Sequence, residues 1–94
     1  MKKNFDIKLN VSVLKEGDKY IAYSPALDIS TCGKNIKEAK KRFSELVEIF
    51  FEETEKNGTT MEVLEGLGWK RDDGSLKSPV VFQEDKDFKI LIDV

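Results

Sequence analysis

The sequence predicts an α+β fold: an antiparallel sheet of three to four strands, one long helix packed on one face, a short second helix and a C-terminal strand. Three observations lead there. Residues 5–13 alternate apolar and polar side chains, residues 36–50 repeat apolar side chains at helical spacing, and residues 88–94 alternate again.

In the first segment Phe5, Ile7, Leu9, Val11 and Val13 share one side, against Asp6, Lys8, Asn10 and Ser12. One wet face implies antiparallel pairing. Lys15-Glu16-Gly17-Asp18 supplies a turn in which Gly17 is free to take positive φ. Lys19 to Ser24 returns as a second strand, rich in β-formers, until Pro25, which has no N–H to donate to a ladder. A short third strand, about Ile29 to Cys32, runs into Gly33.

Asn35 then reads as a helix N-cap, with Glu38 three residues on to complete a capping box. Ile36, Ala39, Phe43, Leu46, Val47 and Phe50 form the inward stripe, and Asn57-Gly58 is the stop. Glu38–Arg42, Lys41–Glu45 and Glu52–Lys56 are spaced to pair along the helix. Thr59-Thr60 is placed to cap a short second helix containing Val63 and Leu64, ended by Gly66 and Gly68 before Trp69. Trp69 to Leu76 surrounds an Asp72-Asp73-Gly74-Ser75 turn, Lys77 to Asp87 reads as an extended connection, and Phe88 to Val94 as a strand. The expected organisation is a single domain, with a core at 1–69 and a β extension at 70–94 that packs on the core or on a neighbouring subunit.

With 94 residues, 39% hydrophobic and 36% charged, the chain has the composition of a globular domain with one thin core. A net charge of −2 argues against strong non-specific attraction to DNA or anionic membranes. There is no run of ~18 apolar residues for a membrane span, and Met1 to Asp6 lacks the apolar stretch of a signal peptide. One cysteine, Cys32, allows no internal disulfide, so the cytoplasm is the expected compartment. The absence of histidine removes the commonest general base and metal ligand. No enzyme activity and no cofactor or metal are expected.

The local sequence narrows the reading. Tyr20-Ile21-Ala22-Tyr23-Ser24-Pro25-Ala26-Leu27-Asp28, then Thr31-Cys32-Gly33, Asn35, Lys37-Glu38-Ala39 and Leu46-Val47-Glu48, resembles the HicB-like antitoxin family. Leu67-Gly68-Trp69 also looks like members of that group. The resemblance spans residues 5 to about 69 and rests on the order and spacing of individually weak motifs. It implies a partial RNase-H-like fold without catalytic residues, self-association as a dimer or tetramer, and a surface that covers the active site of a HicA-type RNA-cleaving toxin. Members usually add a C-terminal DNA-binding module. Here residues 70–94 carry five Lys/Arg against six Asp/Glu in a β-like pattern, so operator binding is not expected. Two other readings stay open. One is a solitary HicB-like oligomer that binds RNA or a small ligand, the other a vestigial RNase-H-like metal nuclease using Asp6, Asp28, Glu38 and Glu45.

Those carboxylates fall on a solvated strand face, in a corner and on the outer helix, where solvated charge is the simpler account. The candidate interface residues are Lys37, Lys40, Lys41, Ile49, Trp69, Phe88, Ile90 and Ile92. The lysines crowd the first half of the long helix while Glu52, Glu53 and Glu55 sit near its end, opposite to what the helix dipole favours. Ile49 falls about 110° from the centre of the apolar stripe, exposed or covered by residues 76–94 or by another subunit. Trp69 reads as a cap on the core or as an interface anchor, and Cys32 as a small buried residue rather than a nucleophile.

Overall fold

The fold is described by a computed structural model over residues 7–72, 75–82, 87 and 89–93. Phe5, Asp6, Phe88, Val94 and the Asp73-Gly74 turn, on which several expectations fell, lie outside the described residues. The chain is α+β. Three antiparallel strands, β1 (Ser12–Glu16), β2 (Lys19–Ser24) and β3 (Ile29–Gly33), form a sheet in the order β1-β2-β3. A long helix, α1 (Ile36–Lys56), packs across β2 and β3, and a short one, α2 (Thr60–Gly66), packs against α1. A separate two-stranded sheet, β4 (Lys70–Asp72) with β5 (Ser75–Lys77), follows.

The first strand lies later than its alternation suggests, and the ladder explains why. Glu16 pairs with Lys19 across a two-residue Gly17-Asp18 turn in which Gly17 has φ of 63°. That register sets Ser12 opposite Tyr23. One step further along β2 comes Ser24, and then Pro25, which offers no donor. Residues 7–11 therefore leave the ladder. Ile7 and Leu9 still turn inward onto the core, while Lys8 and Asn10 stay exposed and Val11 keeps 38% of its surface.

β3 reaches one residue past its expected end, to Gly33, because the helix starts directly over it. A methyl group on Gly33 would sit 2.5 Å from the Ala39 amide nitrogen, so this close approach requires glycine. Asn35 caps α1 with extended backbone (φ −148°, ψ 174°), its Oδ1 accepting from the Glu38 amide at 2.8 Å. Glu38 reaches back to accept from the Lys34 amide at 3.2 Å and pairs with Arg42 at 3.2 Å. Arg42 also donates to the Cys32 carbonyl at 3.1 Å, fastening the helix to β3.

Both helices end in the same motif. After α1, Gly58 takes φ of 67°, its amide donating to the Glu55 carbonyl (3.1 Å) and the Thr59 amide to the Thr54 carbonyl (2.8 Å). After α2, Gly68 takes φ of 94°, its amide donating to Glu65 (3.1 Å) and the Trp69 amide to Leu64 (2.9 Å). These are Schellman caps, which turn the chain sharply and throw the next residue back onto the helix. Thr59, expected as a side-chain cap of α2, makes no such bond. Its hydroxyl donates to the Thr54 carbonyl at 3.5 Å. Thr60 is buried and donates to Thr54 Oγ1 at 2.9 Å.

The core has two linked parts. Ala22, Ala39 and Phe43 join the sheet to α1; Ala26, Leu27, Leu64 and Trp69 join the β2–β3 corner to α2. Val47 and Leu9 touch both. Ile36, expected in the inward stripe, is 48% exposed. Trp69 is 3% exposed and its indole N–H donates to the Ala26 carbonyl at 2.8 Å, spanning 43 residues. The C-terminal strand expected at 88–94 is not present over its described part, since residues 89–93 take no regular structure. The hairpin β4–β5 is the small C-terminal sheet instead.

Two substitutions test this packing. Trp69→Phe leaves the Ala26 carbonyl without its donor and opens a void, and chemical denaturation is expected to show a loss of about 2–4 kcal/mol. Ser24 is fully buried, and its hydroxyl has no hydrogen-bond partner among the described residues. Ser24→Ala, which removes an unsatisfied polar atom, is expected to be neutral or stabilising by up to ~1 kcal/mol in the same assay.

Candidate functional surface

Side-chain exposure separates the candidate residues into three groups. Lys37, Lys40 and Lys41 are exposed on the first half of α1. Ile49 keeps 53% of its surface on the second half, and neither α2 nor the sheet covers it. Ile90 and Ile92 are 73% and 75% exposed beyond β5. Trp69 faces the interior with its one donor satisfied, so it acts as the core cap rather than as a surface anchor. Phe88 lies outside the described residues. Cys32, expected to be buried, is exposed, since it lies on the sheet face opposite α1.

Of the carboxylates of the nuclease reading, the three that lie among the described residues, Asp28, Glu38 and Glu45, do not converge. Asp28 occupies the β2–β3 corner with φ of 53°, a left-handed position that Asp tolerates better than most residues, and Tyr23 Oη donates to it at 3.3 Å. Glu38 lies at the other end of β3, held by Lys34 and Arg42, and Glu45 is exposed midway along α1. Among the described residues, no group of three or more His, Cys, Asp or Glu is placed to hold a metal ion. No helix there is long and apolar enough to cross a membrane.

The remaining charge is spread unevenly, with Glu16 and Asp18 of the hairpin turn among the lysines. The Tyr20–Gly33 pairing brings the β1–β2 turn beside the start of α1, so Lys15 and Lys19 join Lys34, Lys37, Lys40 and Lys41. The Lys15 ammonium stands 5.9 Å from the Tyr20 ring centre. At the far end, α2 folds back on α1. Exposed Glu62 and Glu65 thereby join Glu48, Glu52, Glu53 and Glu55, with Lys56 the cation among them. The sequence shows the lysines and the acidic Glu52, Glu53 and Glu55 of α1, but not that Glu62 and Glu65 of α2 pack back toward them. The signal for this acidic end is the density of Glu between 45 and 65, which needed the tight Asn57–Thr59 turn to become one surface. A cleft of about 410 Å³ opens between Ile7, Lys8, Trp69, Leu76, Lys77 and Ser78.

Comparison of the chain with protein families, characterised proteins and solved structures finds no match. The exposed helix surface can make contacts without chemistry: an apolar residue, Ile49, set beside carboxylates suits a partner with a basic, partly apolar face. Because Ile49 contributes nothing to the core, Ile49→Lys is expected to leave the unfolding free energy within about 0.5 kcal/mol of the parent. A larger loss in thermal or urea unfolding would mean that Ile49 is covered.

Proposed function

We propose that this chain is a HicB-like, antitoxin-type binding module that neutralises a HicA-type RNA-cleaving toxin by covering its catalytic groove. The observation that carries the reading is the contact between Trp69 and Ala26. The Ser24–Asp28 corner and the Leu67-Gly68-Trp69 turn are two widely separated parts of the resemblance, and in the fold each packs on the other. The β-hairpin, third strand and capped helix also stand in the order that the resemblance implies.

The acidic end supports the choice of partner. A protein that binds and cuts RNA needs a cationic groove to hold phosphates. Glu48, Glu52, Glu53, Glu55, Glu62 and Glu65 offer it a competing anionic surface, and Ile49 adds apolar contact on the same helix. Complementary charge of this kind raises the association rate and selects the partner more than it adds affinity. Inhibition is then steric and electrostatic. No bond is made or broken by this chain.

Co-expression with a small basic toxin of this class tests the proposal. The parent chain is expected to restore growth and co-purify with the toxin. The triple variant Glu52→Lys, Glu53→Lys, Glu55→Lys is expected to bind at least about tenfold more weakly while unfolding at a similar temperature. Failure of the parent to restore growth, or full activity of the triple variant, contradicts it.

A further inference from the structure

The cleft of about 410 Å³ beside Trp69 is separate from the charged helix surface. Its two walls come from distant parts of the sequence. Ile7 and Lys8 precede β1, while Leu76, Lys77 and Ser78 close the β4–β5 hairpin, with Trp69 also in the lining. Each wall is anchored. Ile7 and Leu76 pack against the core cluster that holds Trp69. Just past Ser78 the chain comes back to Gly68, where an added methyl group would stand 3.6 Å from Pro79 Cβ. The space therefore belongs to the fold, and its size falls within the ~300–1,000 Å³ of small-molecule sites.

The lining dictates what fits. Ile7, Trp69 and Leu76 supply apolar side chains, and the Trp69 N–H is already given to the Ala26 carbonyl. An occupant therefore meets the indole as apolar surface. The polar members are two lysines and a serine, and no carboxylate lines the space. Lys8 is exposed and forms no ion pair among the described residues. Lys77 already has a partner, so its ammonium is not counted on to hold a ligand. The hairpin's Asp72 stands opposite Ser75, toward the turn and away from Lys77. One available ammonium matches one negative charge. A phosphate group, with up to two charges and three acceptor oxygens, asks for more donors than Lys8 and the Ser78 hydroxyl.

We propose that this cleft binds a small carboxylic acid with an aromatic-sized apolar body, its carboxylate at Lys8 and its body against Ile7, Trp69 and Leu76. Such a ligand ties the β4–β5 hairpin to the segment before β1, and by mass action it stabilises the folded chain. This inference does not rest on the toxin reading, and its test uses the chain alone.

Naphthoate is the probe, titrated into the isotope-labelled chain and followed by NMR, with uncharged naphthamide as its control. Saturable shifts are expected at the amides of Ile7, Lys8, Leu76 and Ser78 and at the Trp69 indole, with a Kd of about 1 mM or tighter. Lys8→Glu is expected to keep the parent's indole resonance in the absence of probe and to bind naphthoate at least about fivefold more weakly. Its binding of naphthamide is expected to equal the parent's. If Lys8→Glu loses the parent's spectrum, Lys8→Gln takes its place under the same criterion. No saturation by about 10 mM naphthoate, or shifts centred away from the cleft, would overturn the proposal. So would a parent that binds the acid no better than the amide, or a Lys8 variant that binds naphthoate as the parent does.

Discussion

One buried hydrogen bond organises this molecule, from the Trp69 indole to the Ala26 carbonyl. Pro25 ends the β2 ladder, so Ala26 lies in a corner outside it with a polar group that no strand satisfies. A buried carbonyl without a donor costs about 1–3 kcal/mol, and the donor here comes from 43 residues away. Bringing it there sets the course of the chain between. α1 must stop at Gly58, α2 must fold back, and Gly68 must turn with positive φ so that Trp69 points inward. Leu27 and Leu64 fill the space around the bond.

That arrangement also decides what is left outside. Because α2 returns along the second half of α1, its glutamates gather with those of α1 into one anionic end. Because the hairpin turn lies beside the start of α1, the lysines collect at the other. Neither end adds much to the stability of the fold, since exposed ion pairs such as Glu38–Arg42 are worth little. Charge placed against the helix dipole is thus a mild burden on folding.

Local chemistry was legible where it is decided locally. β2, the Asn35 cap with Glu38, the Gly17 turn and the Asn57-Gly58 stop all fall where residue preferences put them, because each needs only neighbours a few positions away. β1 was displaced because its length depends on Pro25 across the ladder, which alternation in residues 5–13 does not register. Thr54 escaped notice since its burial depends on Thr60 in another helix. Trp69 reads from the sequence first as a cap on the core and second as an interface anchor, and the Ala26 carbonyl 43 residues away decides for the core. At 89–93 the period-two pattern is real, but a strand also needs an edge to pair with, and among the described residues none pairs with it.

The indole N–H of Trp69 gives the most direct test, since the chain has a single tryptophan and hence a single indole resonance. If the bond to Ala26 joins the corner to the second helix as described, that proton exchanges with solvent only through global unfolding, at the same rate as the slowest amides of β2. Exchange at the rate of a free indole would show that the corner and the Gly68 turn are not joined, and with that the account of the core and of the surface built on it would fail.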